Sequence, residues 1–205
     1  MNIKSRVIIL LLTLGLCAGG IASLFWSQEL RYNLPTPVPE GYTPVPVGDR
    51  ILLPATLAAD QAYFLHFYNP DCPCSRFNVR HLRSLIASYR DSVNIVVVVA
   101  SAGEREQAAD EFGEKVRILV DDGALAASCG VYSTPQAAII DHDQRLYYRG
   151  NYNRSRYCTQ RATNFAELSL IALLNHQLPP AYGLVATQSY GCELNNGKAT
   201  EVALF

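Results

Sequence analysis

The chain has 205 residues, a formal net charge of −1 and 49% apolar residues. That length holds one well-cored domain with extensions. The balanced charge excludes the broad basic field by which proteins bind nucleic acid.

In chain order, Lys4 and Arg6 come first, followed by an uncharged run from Val7 to Trp26. About 20 apolar residues match the hydrocarbon core of a bilayer. Basic residues ahead of the run place the N-terminus in the cytoplasm and the rest of the chain across the membrane. The alternative is a cleaved signal peptide, with the small residues around Ala18–Ser23 as the processing site. The continuation of the run to Phe25 and Trp26 favours an uncleaved signal-anchor. Cys17 is not read as a lipid-modified cysteine, because bulky Leu16 precedes it. The five remaining cysteines then face an extracytoplasmic, periplasm-like space, where disulfides persist. Five is odd, so at least one thiol is left over.

Leu34–Gly48 holds five of the eleven prolines and reads as an extended linker, on the order of 40 Å long if fully stretched. A folded pattern starts near Ile51. Ala62–Tyr68 is a short aromatic run typical of a buried strand. Phe77, Leu82, Leu85, Ile86 and Tyr89 recur at helical spacing, so a helix is expected over Pro73–Arg90. Asn94–Ala100 is a β-branched run suited to a strand covered on both faces. A helix over Glu104–Glu114, a strand over Val116–Asp121 and a short helix closed by Gly130 follow. Pro135–Asp141, a turn and Arg145–Gly150 form a hairpin. A last helix over Thr163–Gln177, with Phe165, Leu168 and Ala172 on its packed face, stops at Pro179 and Pro180. The loop Arg149–Arg161 is read as solvated, or alternatively as a rim that contacts proteins. The order of elements gives an α/β sandwich around a mixed sheet. The expected division is an anchor over 1–28, a Pro-rich linker over 29–50, a domain over 51–178 and a tail packing on it over 179–205.

The chemistry sits in Asp71-Cys72-Pro73-Cys74-Ser75. With Cys72 as N-cap, Pro73 takes the first helical position, where its missing N–H costs nothing. The Cys72 sulfur then lies beside unpaired backbone N–H groups and the positive end of the helix dipole, which favour thiolate, the attacking species. Cys72 is the expected nucleophile. Cys74 is the expected resolving partner, although a bond between residues two apart requires Cys72 to leave helical geometry. In the competing reading Cys72 acts alone, with Ser75 at the usual second-thiol position and another cysteine resolving. Two inert buried cysteines are the plain structural alternative.

These residues resemble the thioredoxin-like superfamily, nearest to membrane-anchored extracytoplasmic thioredoxin and redoxin-type domains. The strand Phe64–Tyr68 running into the cysteines carries the likeness. So do Ser133-Thr134-Pro135-Gln136, which looks like the superfamily's Thr-Pro loop, and the hairpin strand ending in Arg149-Gly150. The likeness spans about Ile51 to Gln177 and implies a three-layer fold. It implies a cis Pro135 packed against the active sulfur, and Thr134 backbone groups able to pair with a substrate strand. His66 falls where a buried acid often lies beneath the disulfide, so it is a candidate for proton exchange with the resolving thiol; a histidine satisfied within its strand is the other reading. The departure is Cys-Pro-Cys in place of Cys-x-x-Cys. Asn69 stands where the peroxidase branch carries threonine, which argues against that activity.

Cys129 is read as buried and structural. Cys158 and Cys192 are read as a disulfide pinning the tail, with Cys192 as a resolving thiol for Cys72 the alternative. The expected function is thiol–disulfide exchange with protein thiols, without an organic cofactor, since glycine-rich phosphate loops are absent. The alternatives are a Cu(I)-thiolate carrier using Cys72 and Cys74, with His66 or His81 adding nitrogen, and a binding module that kept the fold without catalysis.

Overall fold

The computed structural model describes residues 2–28, 30, 34–57, 61–155, 158 and 160–194. The chain forms two compact units, Met1–Leu34 and Pro35–Phe205. The first is helix α1, Ile3–Gln28. Its stretch Ile3–Ser27 has mean hydropathy 2.4, long and apolar enough to span a bilayer. Thr13 satisfies its hydroxyl inside the helix, donating toward the carbonyls of Ile9 and Leu10 at 3.0 and 2.9 Å, as a polar group in an apolar setting must.

The second unit is built on a five-stranded sheet. Strand β1 (Tyr63–Phe67) is followed by α2 (Pro73–Tyr89), β2 (Asn94–Val99), α3 (Ala102–Phe112), β3 (Arg117–Val120) and α4 (Ala124–Cys129). Then come β4 (Ser133–Thr134), β5 (Gln136–Ile140), β6 (Leu146–Gly150), α5 (Phe165–Leu174), α6 (Leu184–Thr187) and β7 (Cys192–Glu193). The sheet order is β3-β2-β1-β5-β6. Strands β1, β2 and β3 run parallel, and β5 and β6 run antiparallel to their neighbours. Every residue of β1 and β5 is buried, which matches their mostly apolar sequences, with His66 and Gln136 the buried polar exceptions. One face of the sheet packs on α2, α3 and α5 through Phe64, Val97, Leu82, Leu85, Phe112 and Leu170. The other packs on α4 and the segment Ile51–Leu57 through Leu65, Val98, Leu125 and Ile140. This is the expected three-layer sandwich with a central mixed sheet.

Three expectations shift. Phe77 is 44% exposed, and α2 instead buries Cys74, Ser75, Asn78 and Val79 in its first turns. In α5 the buried face is Ala166, Ser169, Leu170 and Ala172, with Leu168 exposed; that helix is apolar all round, so periodicity does not single out a face. The loop after β6 is not a solvated one at its start, because Asn151, Tyr152 and Asn153 are buried; its Arg156, Tyr157 and Thr159, and the tail beyond Leu194, lie outside the described residues.

The Pro-rich segment is bonded to the domain from Pro35 onward. Pro35 bridges Tyr190, Arg50 bridges Arg145, and the Tyr42 hydroxyl donates to the Gly130 carbonyl at 3.0 Å. From Pro35 on, the segment is therefore part of the folded unit and not a bare spacer.

Candidate active site

The carboxyl end of β1 delivers the chain into α2. Cys72 is the N-cap, with extended backbone (φ −79°, ψ 118°), and Pro73 opens the helix. The first turn closes through Arg76 N–H to Cys72 C=O at 3.2 Å. The preceding loop is shaped by Asn69, whose side-chain oxygen accepts from Asp71 N–H at 2.8 Å. Cys72 makes no side-chain cap hydrogen bond, and its sulfur is the polarisable group beside the first N–H groups of the helix.

That sulfur is bonded to Cys192, 120 residues away, with Cα atoms 6.0 Å apart. It lies 3.5 Å from the Thr134 carbonyl oxygen. The Thr134–Pro135 peptide is cis. Thr134 and Cys192 face each other in a two-strand ladder, since β4 pairs antiparallel with β7 in the register Ser133↔Glu193 and Thr134↔Cys192. Leu194 N–H extends the pairing to the Tyr132 carbonyl at 3.0 Å. The structure thus brings Cys72, Thr134, Pro135 and Cys192 together.

The bond is the Cys72–Cys192 pairing that the sequence offers as an alternative, not either of the two pairings it favours. Cys72 is joined to Cys192 and not to Cys74, which lies inside α2 at 3% exposure. In a helix, Cys74 projects away from its N-cap neighbour. Nor is Cys192 joined to Cys158, whose thiol donates to Asn78 Oδ1 at 3.1 Å. Burial pushes the Cys158 thiol up to about 12 and raises the Cys129 thiol too, so both are protonated, weak nucleophiles near neutral pH.

Three residues that sequence reasoning missed hold the tail in place. Asn151 donates its side-chain amide to the carbonyls of Val185 and Gln188 at 2.9 and 2.6 Å. Thr36 donates its N–H to Ser189 C=O at 2.9 Å and its hydroxyl to Gly191 C=O at 3.1 Å. Gly191 has φ +144°, and a Cβ there would stand 2.1 Å from the Thr134 carbonyl oxygen, so only glycine fits. The glycine before Cys192 was a readable signal. The Thr36 contact spans 155 positions and leaves no local trace.

His66 is fully buried at the middle of β1, its Nδ1 2.6 Å from the Tyr152 hydroxyl. Among the described residues its Nε2 has no hydrogen-bond partner, nor do Asn78 Nδ2 and His81 Nε2. Burial first, and then the neighbouring His81, lower the His66 pKa to about 3. So weak a base is a poor acceptor for a thiol proton. Thr134 Oγ1 is likewise buried without a partner; its carbonyl, not its hydroxyl, meets the sulfur. Among the described residues, no three His, Cys, Asp or Glu side chains converge as metal ligands.

A family model described as a domain of unknown function, DUF6436, matches residues 48–194. No curated protein matches the sequence. Among solved structures, a hypothetical protein from Sinorhizobium meliloti aligns with TM-score 0.59 at 18% identity, over 74% of this chain and 95% of that one. An uncharacterized conserved protein from Geobacillus kaustophilus aligns with TM-score 0.55 at 24% identity, over 66% and 77%. A putative thiol:disulfide interchange protein DsbE from Chlorobium tepidum aligns with TM-score 0.48 at 18% identity, over 64% and 99%. The sheet order β3-β2-β1-β5-β6 and the Cys-x-Cys pair at the start of α2 are the arrangement that the resemblance to the thioredoxin-like superfamily implies.

Proposed function

The chain belongs to the DUF6436 family, and for it we propose a membrane-tethered, extracytoplasmic thiol:disulfide oxidoreductase acting on protein thiols, with Cys72 and Cys192 as the redox couple. The observation that carries this reading is the Cys72–Cys192 disulfide, set at the start of α2 and 3.5 Å from the Thr134 carbonyl beside a cis proline. A disulfide whose one sulfur lies at a helix N-terminus has a stabilised thiolate to release, which lowers the barrier to exchange. Cys72 is the sulfur stabilised as thiolate, Thr134 and Pro135 line it, and Cys192 completes the couple. Cys74 stands outside the bond and is not needed to close the cycle. The apolar helix α1 and the basic residues Lys4 and Arg6 at its start support the anchor and the orientation. Paired Cys72 and Cys74 thiolates for Cu(I) are not on offer while Cys72 is bonded to Cys192.

The test is turnover on a protein dithiol. Full chain in detergent, fully oxidised, is mixed with reduced, unfolded ribonuclease A. The expected result is loss of ribonuclease thiols in step with appearance of Cys72 and Cys192 thiols, two for two, and no transfer by Cys72→Ser. An intact disulfide after long incubation would instead favour the static-module reading.

A further inference from the structure

The two residues of the bond differ in exposure. Cys72 is 1% exposed, enclosed by the cis-proline loop and by the tail that carries its partner. Cys192 is half-buried, and the next residue, Glu193, is exposed. They also differ as leaving groups: Cys72 caps a helix of 17 residues behind Pro73, whereas Cys192 sits on a strand of two residues. The sulfur that leaves faster is the one whose thiolate is better stabilised, and the sulfur attacked is the one that can be reached. Access and leaving ability therefore point to the same assignment.

We infer that Cys192, on the C-terminal tail, is the sulfur that partner thiols meet, and that Cys72 is the buried leaving group. This rests on the redox reading above and reverses the roles that the sequence alone suggests for the two positions. A partner thiolate attacks the Cys192 sulfur, forming a partner–Cys192 bond and breaking Cys72–Cys192. Cys72 departs as thiolate with the electron pair. The partner's second thiolate then attacks the partner's own bonded sulfur and releases Cys192, which takes a proton from water. Net, a partner dithiol becomes a disulfide and gives up two electrons and two protons; Cys72 and Cys192 gain the two electrons, Cys192 ends as thiol and Cys72 as thiolate, and the remaining proton goes to water. The mixed disulfide is thus carried on the tail, held by the short β4–β7 ladder and by Thr36 and Asn151. The partner needs a pair of cysteines on an accessible segment and need not reach into the cis-proline loop.

The experiment uses the oxidised full chain in detergent with reduced glutathione as the probe, quenched in acid at millisecond times and mapped by mass spectrometry of peptic peptides. Reduced glutathione adds only to disulfides, so Cys17, Cys74, Cys129 and Cys158 do not contribute. Expected is glutathione on Cys192 in about tenfold excess over Cys72 at the earliest times, as the leaving-group difference requires. Adducts on Cys72 in equal or greater amount overturn the assignment while leaving the redox reading intact. A bond that takes up no glutathione on either sulfur overturns both.

Discussion

Cys192→Ser is expected to lower the stability of the folded unit by about 4–5 kcal/mol relative to the oxidised wild type. The bond closes a loop of 120 residues, and the chain-entropy cost of closing a loop that long in the unfolded state is of that size. For a domain of this length, each kcal/mol moves Tm by roughly 2–4 °C, so a fall on the order of 10–20 °C follows. The reduced wild type should fall by a similar amount, because the same cross-link is lost. Thermal unfolding of the full chain in detergent, followed by circular dichroism, checks both. A shift under about 2 °C in either would mean that the tail is held by Asn151 and Thr36 alone. Cys158→Ser, which removes no disulfide, serves as the control.

The second large effect is acid sensitivity through His66. Its folded-state pKa is about 3, whereas an unfolded histidine titrates near 6.5. Below about pH 6.5 the unfolded chain binds a proton that the folded chain refuses. The stability from keeping His66 neutral is therefore complete above about 6.5 and is lost as pH falls toward about 3, with a slope of roughly 1.4 kcal/mol per unit. Over the two units from 6.5 to 4.5 the loss is about 2–3 kcal/mol. His81 is also held below its ordinary value by burial, with Glu167 opposing, and adds a part in the same direction. His66→Phe should flatten the profile by the His66 share, though it also removes the Tyr152 contact and so lowers stability at pH 7. Urea unfolding at several pH values reads the difference in slope, which that loss at neutral pH does not affect. Parallel profiles for the two proteins would contradict the buried neutral state.

The fold was legible where side-chain pattern and local geometry agree. Ala62–Tyr68 and Asn94–Ala100 announce strands covered on both faces, and β1 and β2 take those places. Pro73 after Cys72 announces a helix start, and the N-cap falls on Cys72. Local pattern was blind to Phe77, whose aromatic character suggests burial although its helix turns it outward. It was blind in α5 as well, where apolar residues surround the axis. For the cysteines, sequence offered the Cys72–Cys192 pairing only as an alternative, for a different reason. Cys72 and Cys74 are neighbours along the chain, and proximity in sequence made them the natural pair. What decides is the register of β4 against β7, which sets Cys192 opposite Thr134. That register depends on Asn151, Thr36 and Gly191; the glycine before Cys192 is a readable signal, whereas Asn151 and Thr36 lie far from the tail in sequence and do not advertise their partners.

The burial of Cys72 also takes its meaning from this arrangement. A sulfur at 1% exposure would read as inert if protein core alone covered it. Here part of its cover is the tail, whose Cys192 is its own redox partner, so reduction of the bond removes the covalent hold on that cover.

The central claim is that the Cys72–Cys192 bond is an exchangeable couple rather than a permanent staple. The most direct measurement is equilibration of the native full chain in graded buffers of reduced and oxidised glutathione, followed by alkylation and peptide mapping. The account predicts that both cysteines change together, from bonded to alkylated, in one two-electron transition within the range such buffers cover. A bond that persists at the most reducing ratio, or a Cys158–Cys192 peptide in place of Cys72–Cys192, would contradict it.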